Sequence, residues 1–408
     1  MGRKGKLLVG LDIGTTKTCA VVGEITESGI DIIGVGACPS EGIRKGVVVN
    51  IESTVESIKK AVSAAENMSG CSIRSVYAGI AGVHIRGQNS LGIVAVKGRE
   101  IEEEDMESAI EAAKAIAVPL DREIIHSLPQ SFVVDEQEGI RYPVGMSGVR
   151  LEAKVHIVTA AVTSTQNTIN AVNRVGLEIN KLILEPLAAS ETVLSEGEKD
   201  LGAAVLDIGG GTTKIAIFTE GSIRHTAVLP IGGNYVTSDI AKGLRTPIVD
   251  AEDIKIKYGC AYLPLIPKDE NIEVPSVGGR EPREASRHIL GRIIEPRMEE
   301  ILRMAYKDIM KAGYEDSLAA GIVLTGGTSV MEGITELAEQ IFDMPARRGI
   351  PTGVGGLTDV TKSPVYSTAV GMIVYANRHL VKGRLKGGAS GFLGNAFSKM
   401  AKWFSELF

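Results

Sequence analysis

Apolar residues recur along this chain in two rhythms. Some form short runs closed by glycine and threonine, and others form longer stretches with a period near that of a helix. Residues 7–11, 18–25 and 30–37 read as three successive strands, 51–68 as a helix, and 76–80 as a strand returning beneath it. Strands followed by helices predict an α/β sheet. Between residues 84 and 160 the texture changes: an alternating strand over 91–96, a helix over 101–116, and alternating runs around Phe132 and over 151–158. That helix opens on Glu102, Glu103, Glu104 and Asp105, which suit the positive end of its dipole and equally suit a solvated charged face. The stretch reads as a subdomain inserted into the first lobe.

A helix over 165–175 and a strand over 181–184 lead to a crossover at Glu185, and a second lobe begins near Leu201. Within it, 231–259 is mixed, with a helix over 250–258, and 263–282, which contains proline and glycine, is expected to be irregular. Residues 287–311 predict a long helix with apolar positions at Ile289, Ile293, Ile294, Met298, Ile301, Leu302 and Ala305, kinked or restarted at Pro296. An apolar run over 319–324 and a helix over 331–341 follow, and the chain returns to the first lobe after about Ser363.

Two segments answer each other. LLVGLDIGTTKTCAVVGE at 7–24 and AAVLDIGGGTTKIAIFTE at 203–220 each read as a strand, Asp-Ile-Gly, a tight Gly/Thr turn and a second strand. Each is a hairpin whose turn aims backbone N–H groups and hydroxyls at one point, an anion nest, with Asp12 or Asp207 beside it able to hold magnesium through water. The repetition predicts two similar domains closing on one polyphosphate. A third glycine turn, LTGGTS at 324–329, follows a strand and precedes a helix, an order that favours phosphate or the polar edge of a nucleoside.

DIGTTKT, DIGGGTTK and LTGGTSVMEG, in this order and at these separations, resemble the phosphate-1, phosphate-2 and adenosine motifs of the actin, heat-shock-70 and sugar-kinase superfamily. ILEPLAA at 183–189 resembles the segment after which such chains cross to the second lobe. Over roughly residues 6–377 and the tail the match is to the FtsA family of bacterial cell-division actin homologues. The resemblance implies an actin-like two-lobed ATPase fold binding ATP and Mg²⁺. Asp12 and Asp207 would hold the metal. Gly14, Thr15, Thr16 and Lys17 would meet the β- and γ-phosphates opposite Gly209, Gly210, Gly211, Thr212 and Thr213. Gly232, Gly233 and Asn234 would lie near the sugar, Glu252 and Lys255 would serve ribose and base, and Gly326, Gly327, Thr328 and Met331 would complete the adenosine pocket. From the residues alone, a solvated turn lysine is the lesser alternative for Lys17, and a surface i, i+3 pair is an equal one for Glu252–Lys255. Glu185, by likeness to related chaperones, would orient the attacking water, although the family implies slow or absent hydrolysis.

The same resemblance divides the chain into a first-lobe core (1–83, 161–200 and 363–381), an inserted subdomain (84–160) used in contacts between protomers, a second-lobe core (201–229 and 297–362) and a smaller subdomain (230–296). A linker (382–391) and a terminal helix (392–408) complete it. Sites for the FtsZ C-terminal peptide are expected around Arg287, Ile294 and Arg297, where an ordinary amphipathic helix with exposed arginines is the alternative. Partners implied are FtsZ, further copies of the chain, other division proteins and anionic lipids.

Composition narrows the choice. A net charge of −6, with no long basic run interleaved with aromatics, sets nucleic acid aside as a partner. Cys19, Cys38, Cys71 and Cys260 show no metal-binding spacing and read as free thiols in a reducing compartment. MGRKGKLLVG lacks the apolar core of a signal peptide, and no window reaches the length of a membrane span.

Residues 392–408, FLGNAFSKMAKWFSELF, hold four of the seven phenylalanines and the only tryptophan. On a helical wheel Phe392, Leu393, Phe397, Met400, Trp403, Phe404, Leu407 and Phe408 share one half, and Lys399 and Lys402 lie on the other. A helix of about 26 Å is too short and too polar to span, and its pattern is that of one lying in the headgroup plane or docked on protein. The preceding KGRLKGGASG has four glycines and three basic side chains, a flexible cationic tether that weighs against docking on its own lobe. Taken with these features, the resemblance implies an ATP-binding protein that polymerises on the cytoplasmic face of the bacterial inner membrane, at the midcell septum, and anchors the FtsZ ring. The alternatives are an actin-like pilus-assembly protein and a sugar-kinase-like phosphotransferase. A chaperone is disfavoured because no substrate-binding β-domain follows the lobes.

Overall fold

The computed structural model describes residues 6–96, 100–279 and 281–380. Two sheets of matching topology form its frame. In the first, Leu7–Ile13 pairs antiparallel with Lys17–Thr26, which pairs antiparallel with Gly29–Pro39. On its other side Leu7–Ile13 runs parallel to Ser75–Ile80, which is parallel to Glu178–Leu184. In the second, Ala203–Ile208, Thr213–Thr219, Ser222–Leu229, Gly321–Thr325 and Ala346–Arg348 repeat that order and those directions. The first sheet gains a sixth strand at its edge, Gly355–Gly356, laid parallel on Gly29–Pro39.

These elements form where the apolar pattern places them. Helix Ile51–Ser69 starts at Asn50, whose side chain accepts the N–H of Ser53, and ends at Gly70 in the left-handed region. Its buried stripe of Ile58, Ala61, Val62 and Ala65 covers the first sheet. Helix Arg287–Ala312 lays Leu290, Ile294, Met298, Ile301, Leu302, Ala305 and Ile309 against the core of the second lobe.

Three sequence expectations are corrected. Pro296 neither ends nor restarts that helix, which is continuous across it. Buried Ile294 and Met298 on either side hold the backbone in place against the lost hydrogen bond. The mixed stretch resolves into two helices, Gly233–Leu244 and Ile248–Tyr258, and the irregular one contains a strand, Asn271–Val274, paired antiparallel with Arg283–Ser286. The helix expected over 331–341 spans Ile334–Phe342, preceded by a 3₁₀ turn at Gly327–Val330.

The inserted stretch builds an antiparallel sheet of its own: Arg86–Ala95, Arg150–Ala161, Arg122–Val134 and Gln137–Ile140, in that order. Helix Glu103–Ala113 covers it over Ala109, Ala113, Phe132, Leu151, Ala153 and Val155. This subdomain touches both lobes. Toward the first, the backbone N–H of Leu184 donates to His126 Nε2 at 3.0 Å. Toward the second, Ser222 donates to the Gln130 carbonyl at 2.8 Å, and Gln130 Nε2 donates to the Ile223 carbonyl at 2.9 Å.

The lobes are joined where helix Glu185–Val193 crosses the helix over 367–380. Gly371 makes that crossing possible, because a Cβ there would stand 1.9 Å from the carbonyl oxygen of Ala188. Residues 381–408, and with them the linker and the terminal helix, lie outside the described residues.

Candidate nucleotide site

Asp12 and Asp207 occupy equivalent places, each near the end of the first strand of its hairpin, and each hairpin closes in the same way. Gly14 N–H donates to the Lys17 carbonyl at 3.0 Å, and Gly209 N–H donates to the Thr212 carbonyl at 2.9 Å. The two turns face each other over a cavity of about 510 Å³. One wall is Gly14, Thr15, Thr16 and Lys17, and the opposite wall is Gly209, Gly210, Gly211 and Thr212. The approach is close: a Cβ on Gly210 would lie 1.8 Å from Thr16 Oγ1, and one on Gly211 would lie 2.6 Å from Thr15 Oγ1. Thr16 also donates to Asn234 Oδ1 at 3.3 Å, tying the first lobe to the second.

The outer part of the cavity is lined by Glu252, Lys255, Gly326, Gly327, Thr328 and Met331. Lys255 Nζ donates to Glu252 at 2.7 Å and to Thr237 Oγ1 at 2.9 Å, so the pair lies in the cavity wall with the lysine buried. Gly232 and Gly233 brace the second turn from behind and do not line the cavity. The N–H of Gly233 donates to the Gly209 carbonyl at 2.9 Å, and that of Asn234 to the Gly210 carbonyl at 2.8 Å. Thr213 also lies beneath the turn, buried, with its hydroxyl on the Ile231 carbonyl.

Two lysines neutralise the acids of the cleft. Lys17 Nζ lies 3.7 Å from Asp12, donates to the Val365 carbonyl at 2.7 Å and sits 4.7 Å from the centre of the Tyr366 ring. Lys214 Nζ lies 2.8 Å from Glu185 and 2.9 Å from Asp207. Burial raises the Asp12 carboxyl above its usual range, and burial with two neighbouring carboxylates pushes Glu185 up to about 7 against the pull of Lys214. Burial works against the charge on Lys214, but Asp207, Glu185 and Asp12 outweigh it and hold the ammonium protonated. Glu185 opens its helix with Pro186 behind it and does not line the cavity, so its carboxylate is engaged by Lys214 instead of facing open space.

Of the residues expected to meet a peptide, Ile294 is excluded and the two arginines are already engaged by acids. Ile294 is 0% exposed in the second-lobe core, where it cannot touch a partner. Arg287 lines the cavity between the two turns, paired with Glu270 and Glu332 and donating to the Tyr258 carbonyl. Arg297 is engaged by Asp239 and Glu300. Lys214, Ile256, Lys257, Val330, Val365 and Thr368 also line the cavity and were not singled out in the sequence. Lys214 was legible in principle, since the hairpin register sets it directly opposite Asp207. The wall formed by Pro364, Val365 and Thr368 comes from the returning chain, and no local signal announces it.

A family model described as "Cell division protein FtsA" matches residues 204–371, and one described as "SHS2 domain inserted in FTSA" matches 82–159. The "Cell division protein FtsA" of Pseudomonas aeruginosa is 56% identical over 374 residues, covering 91% of this chain and 90% of that protein. Its counterpart in Escherichia coli K12 is 43% identical over 413 residues, covering 99% and 98%. Among solved structures, a PilM–PilN type IV pilus biogenesis complex superposes with a TM-score of 0.67 at 18% identity, covering 90% of this chain and 98% of the other. MreB5 of Spiroplasma citri bound to ADP gives 0.55 at 14%, covering 94% and 99%. At such identities the structures share the fold alone, whereas the sequence relatives carry the kinship. The chain belongs to the FtsA family of actin-like cell division proteins.

Proposed function

We propose that this chain binds ATP between its lobes, assembles with further copies of itself on the cytoplasmic face of the inner membrane, and holds the FtsZ ring there at the midcell septum. One observation supports the first step above the others: two duplicated glycine turns, from two lobes, line a single cavity large enough for a nucleotide. Their backbone N–H groups suit phosphate oxygens, and the Glu252–Lys255 pair with Met331 and Thr328 suits ribose and base. The family kinship at 56% identity favours this reading over the pilus-assembly alternative, whose structural likeness stands at 18%.

For magnesium the fit is incomplete. Asp12 and Asp207 supply the hard oxygen donors the ion prefers. Each, however, already faces an ammonium, Lys17 at 3.7 Å and Lys214 at 2.9 Å, so a cation would have to compete for both carboxylates. Hydrolysis in this reading is slow, because Glu185, the residue that would orient water, is engaged by Lys214.

The FtsZ C-terminal peptide is assigned to the smaller part of the second lobe, with Ile294 excluded by its burial. The groove of Tyr262, Leu263, Pro264, Glu295, Glu299 and Leu337, flanking the same long helix, is a candidate place for it, with Glu295 held by the Leu263 N–H and Glu299 by Arg303. No helix among the described residues is long and apolar enough to cross a membrane, so attachment rests on residues 392–408, with Lys382, Arg384 and Lys386 drawn to anionic lipid. A single short amphipathic helix binds weakly, and a row of protomers multiplies it through effective concentration.

Thermal melting of the full chain with added ATP tests the binding step. Ligand at one hundred times its dissociation constant stabilises the folded state by about 2.7 kcal/mol, which shifts the melting temperature by several degrees. An unchanged melting temperature at saturating ATP would sink the proposal.

A further inference from the structure

The two hairpins match in register up to one position. Across from Asp12 stands Cys19, and across from Asp207 stands Lys214. The first lobe places its lysine two residues earlier, at the end of the turn, where the Val365 carbonyl and the Tyr366 ring hold it beside Asp12. Lys214 instead rises from the strand into the seam between lobes. Its ammonium bridges Glu185, on the crossover from the first lobe, and Asp207, in the second, and the side chain is only 10% exposed.

Three carboxylates and two ammonium groups meet in this cleft: Asp12, Asp207 and Glu185 against Lys17 and Lys214, a formal sum of −1. Without Lys214 the sum is −2, and a triphosphate entering there needs a divalent cation to screen it. With Lys214 in place, the oxygen through which Asp207 would hold a hydrated metal is already donated to, at 2.9 Å. Thr368 Oγ1 reaches the same oxygen at 3.4 Å.

We propose that Lys214 is the built-in counter-ion of the cleft, occupying by its ammonium the place a divalent cation would take between Asp207 and Glu185. This chain therefore takes up a nucleoside triphosphate with little dependence on free magnesium. The inference rests on the ATP-binding reading above and adds a specific role to a residue that a purely structural ion pair would leave without influence on metal dependence.

The test is fluorescence anisotropy of a methylanthraniloyl-ATP probe titrated with the full chain, once in excess magnesium and once in excess EDTA. For the unaltered protein the two dissociation constants agree within about threefold, and for Lys214→Met they separate by about tenfold or more, tighter with magnesium. Lys214→Arg keeps the charge and restores agreement. Should Lys214→Met fail to fold because it strands Glu185 unpaired, Lys214→Gln, which removes the positive charge but keeps an N–H donor for Glu185, is read in its place, with the same tenfold separation expected.

A separation of tenfold or more in the unaltered protein overturns the inference while leaving ATP binding intact. So does a methionine variant no more metal-dependent than its parent, the result a structural pair gives. Absence of probe binding in both buffers overturns the ATP reading itself.

Discussion

Gly210 and Ile294 show how far single positions decide the behaviour of this protein. Gly210→Ala puts a methyl group where Thr16 Oγ1 already stands, so the two turns must part or Thr16 must turn away. The expected outcome is at least a tenfold loss of ATP affinity by calorimetry, about 1.4 kcal/mol, with folding retained. Ile294→Ala carries the opposite signature. It empties part of the second-lobe core and lowers stability by about 2–5 kcal/mol in urea denaturation, with no selective loss of FtsZ peptide affinity in the folded fraction. The glycine, threonine and aspartate positions of the cleft were legible because the same short motif occurs twice. The pairing of Lys214 with Glu185, and of Arg287 with Glu270 and Glu332, was not legible, because these acids lie 17 or more residues away in the chain, whereas Asp207 stands opposite Lys214 in its own hairpin. Sequence shows a long basic residue at such a position but not which acid it meets.

Among the elements, the inserted sheet is set apart by its attachment through buried histidines. His126 accepts from Leu184 on the first-lobe side, and His156 Nε2 meets Thr226 Oγ1 at 2.9 Å on the second. Burial, with Lys181 and His379 nearby, pushes His126 down to about 3, and burial with His225 pushes His156 down to about 4. Each is therefore neutral when folded and takes a proton at ordinary pH only when unfolded. Stability from these groups is full above the unfolded value of about 6.5 and is lost as pH falls below it, on the order of 3 kcal/mol each by pH 4. Glu185, raised to about 7, acts in the opposite direction, favouring the folded state as pH falls from 7 toward 4.5. The contributions are separable by mutation: His126→Gln/His156→Gln flattens the loss of stability between pH 7 and pH 5 in denaturant titrations. An unchanged slope would remove the histidines as the cause. Most elements were legible from their periodicity, down to the unit over 84–160. Those missed share a cause: the strand Asn271–Val274 is only four residues long and is fixed by pairing with Arg283–Ser286. The fresh start allowed at Pro296 does not occur, because packing that local chemistry does not reveal carries the helix through it.

At the scale of the whole molecule, one duplicated architecture with a cavity at its seam is joined to a terminal segment, 392–408, of strongly amphipathic sequence. The fold class was legible because the two hairpins and the third glycine turn come in a fixed order, and tertiary structure adds the way the inserted sheet is bonded to both lobes. The proposed role as a membrane tether for FtsZ draws on all of these parts together. The measurement that addresses it most directly is co-sedimentation of FtsZ from the same organism with anionic vesicles, in ATP, with the full chain or with a chain ending at Lys386. The account predicts that FtsZ pellets with vesicles only when the full chain is present. FtsZ left in the supernatant with the full chain, or pelleted equally by the shortened one, would contradict it.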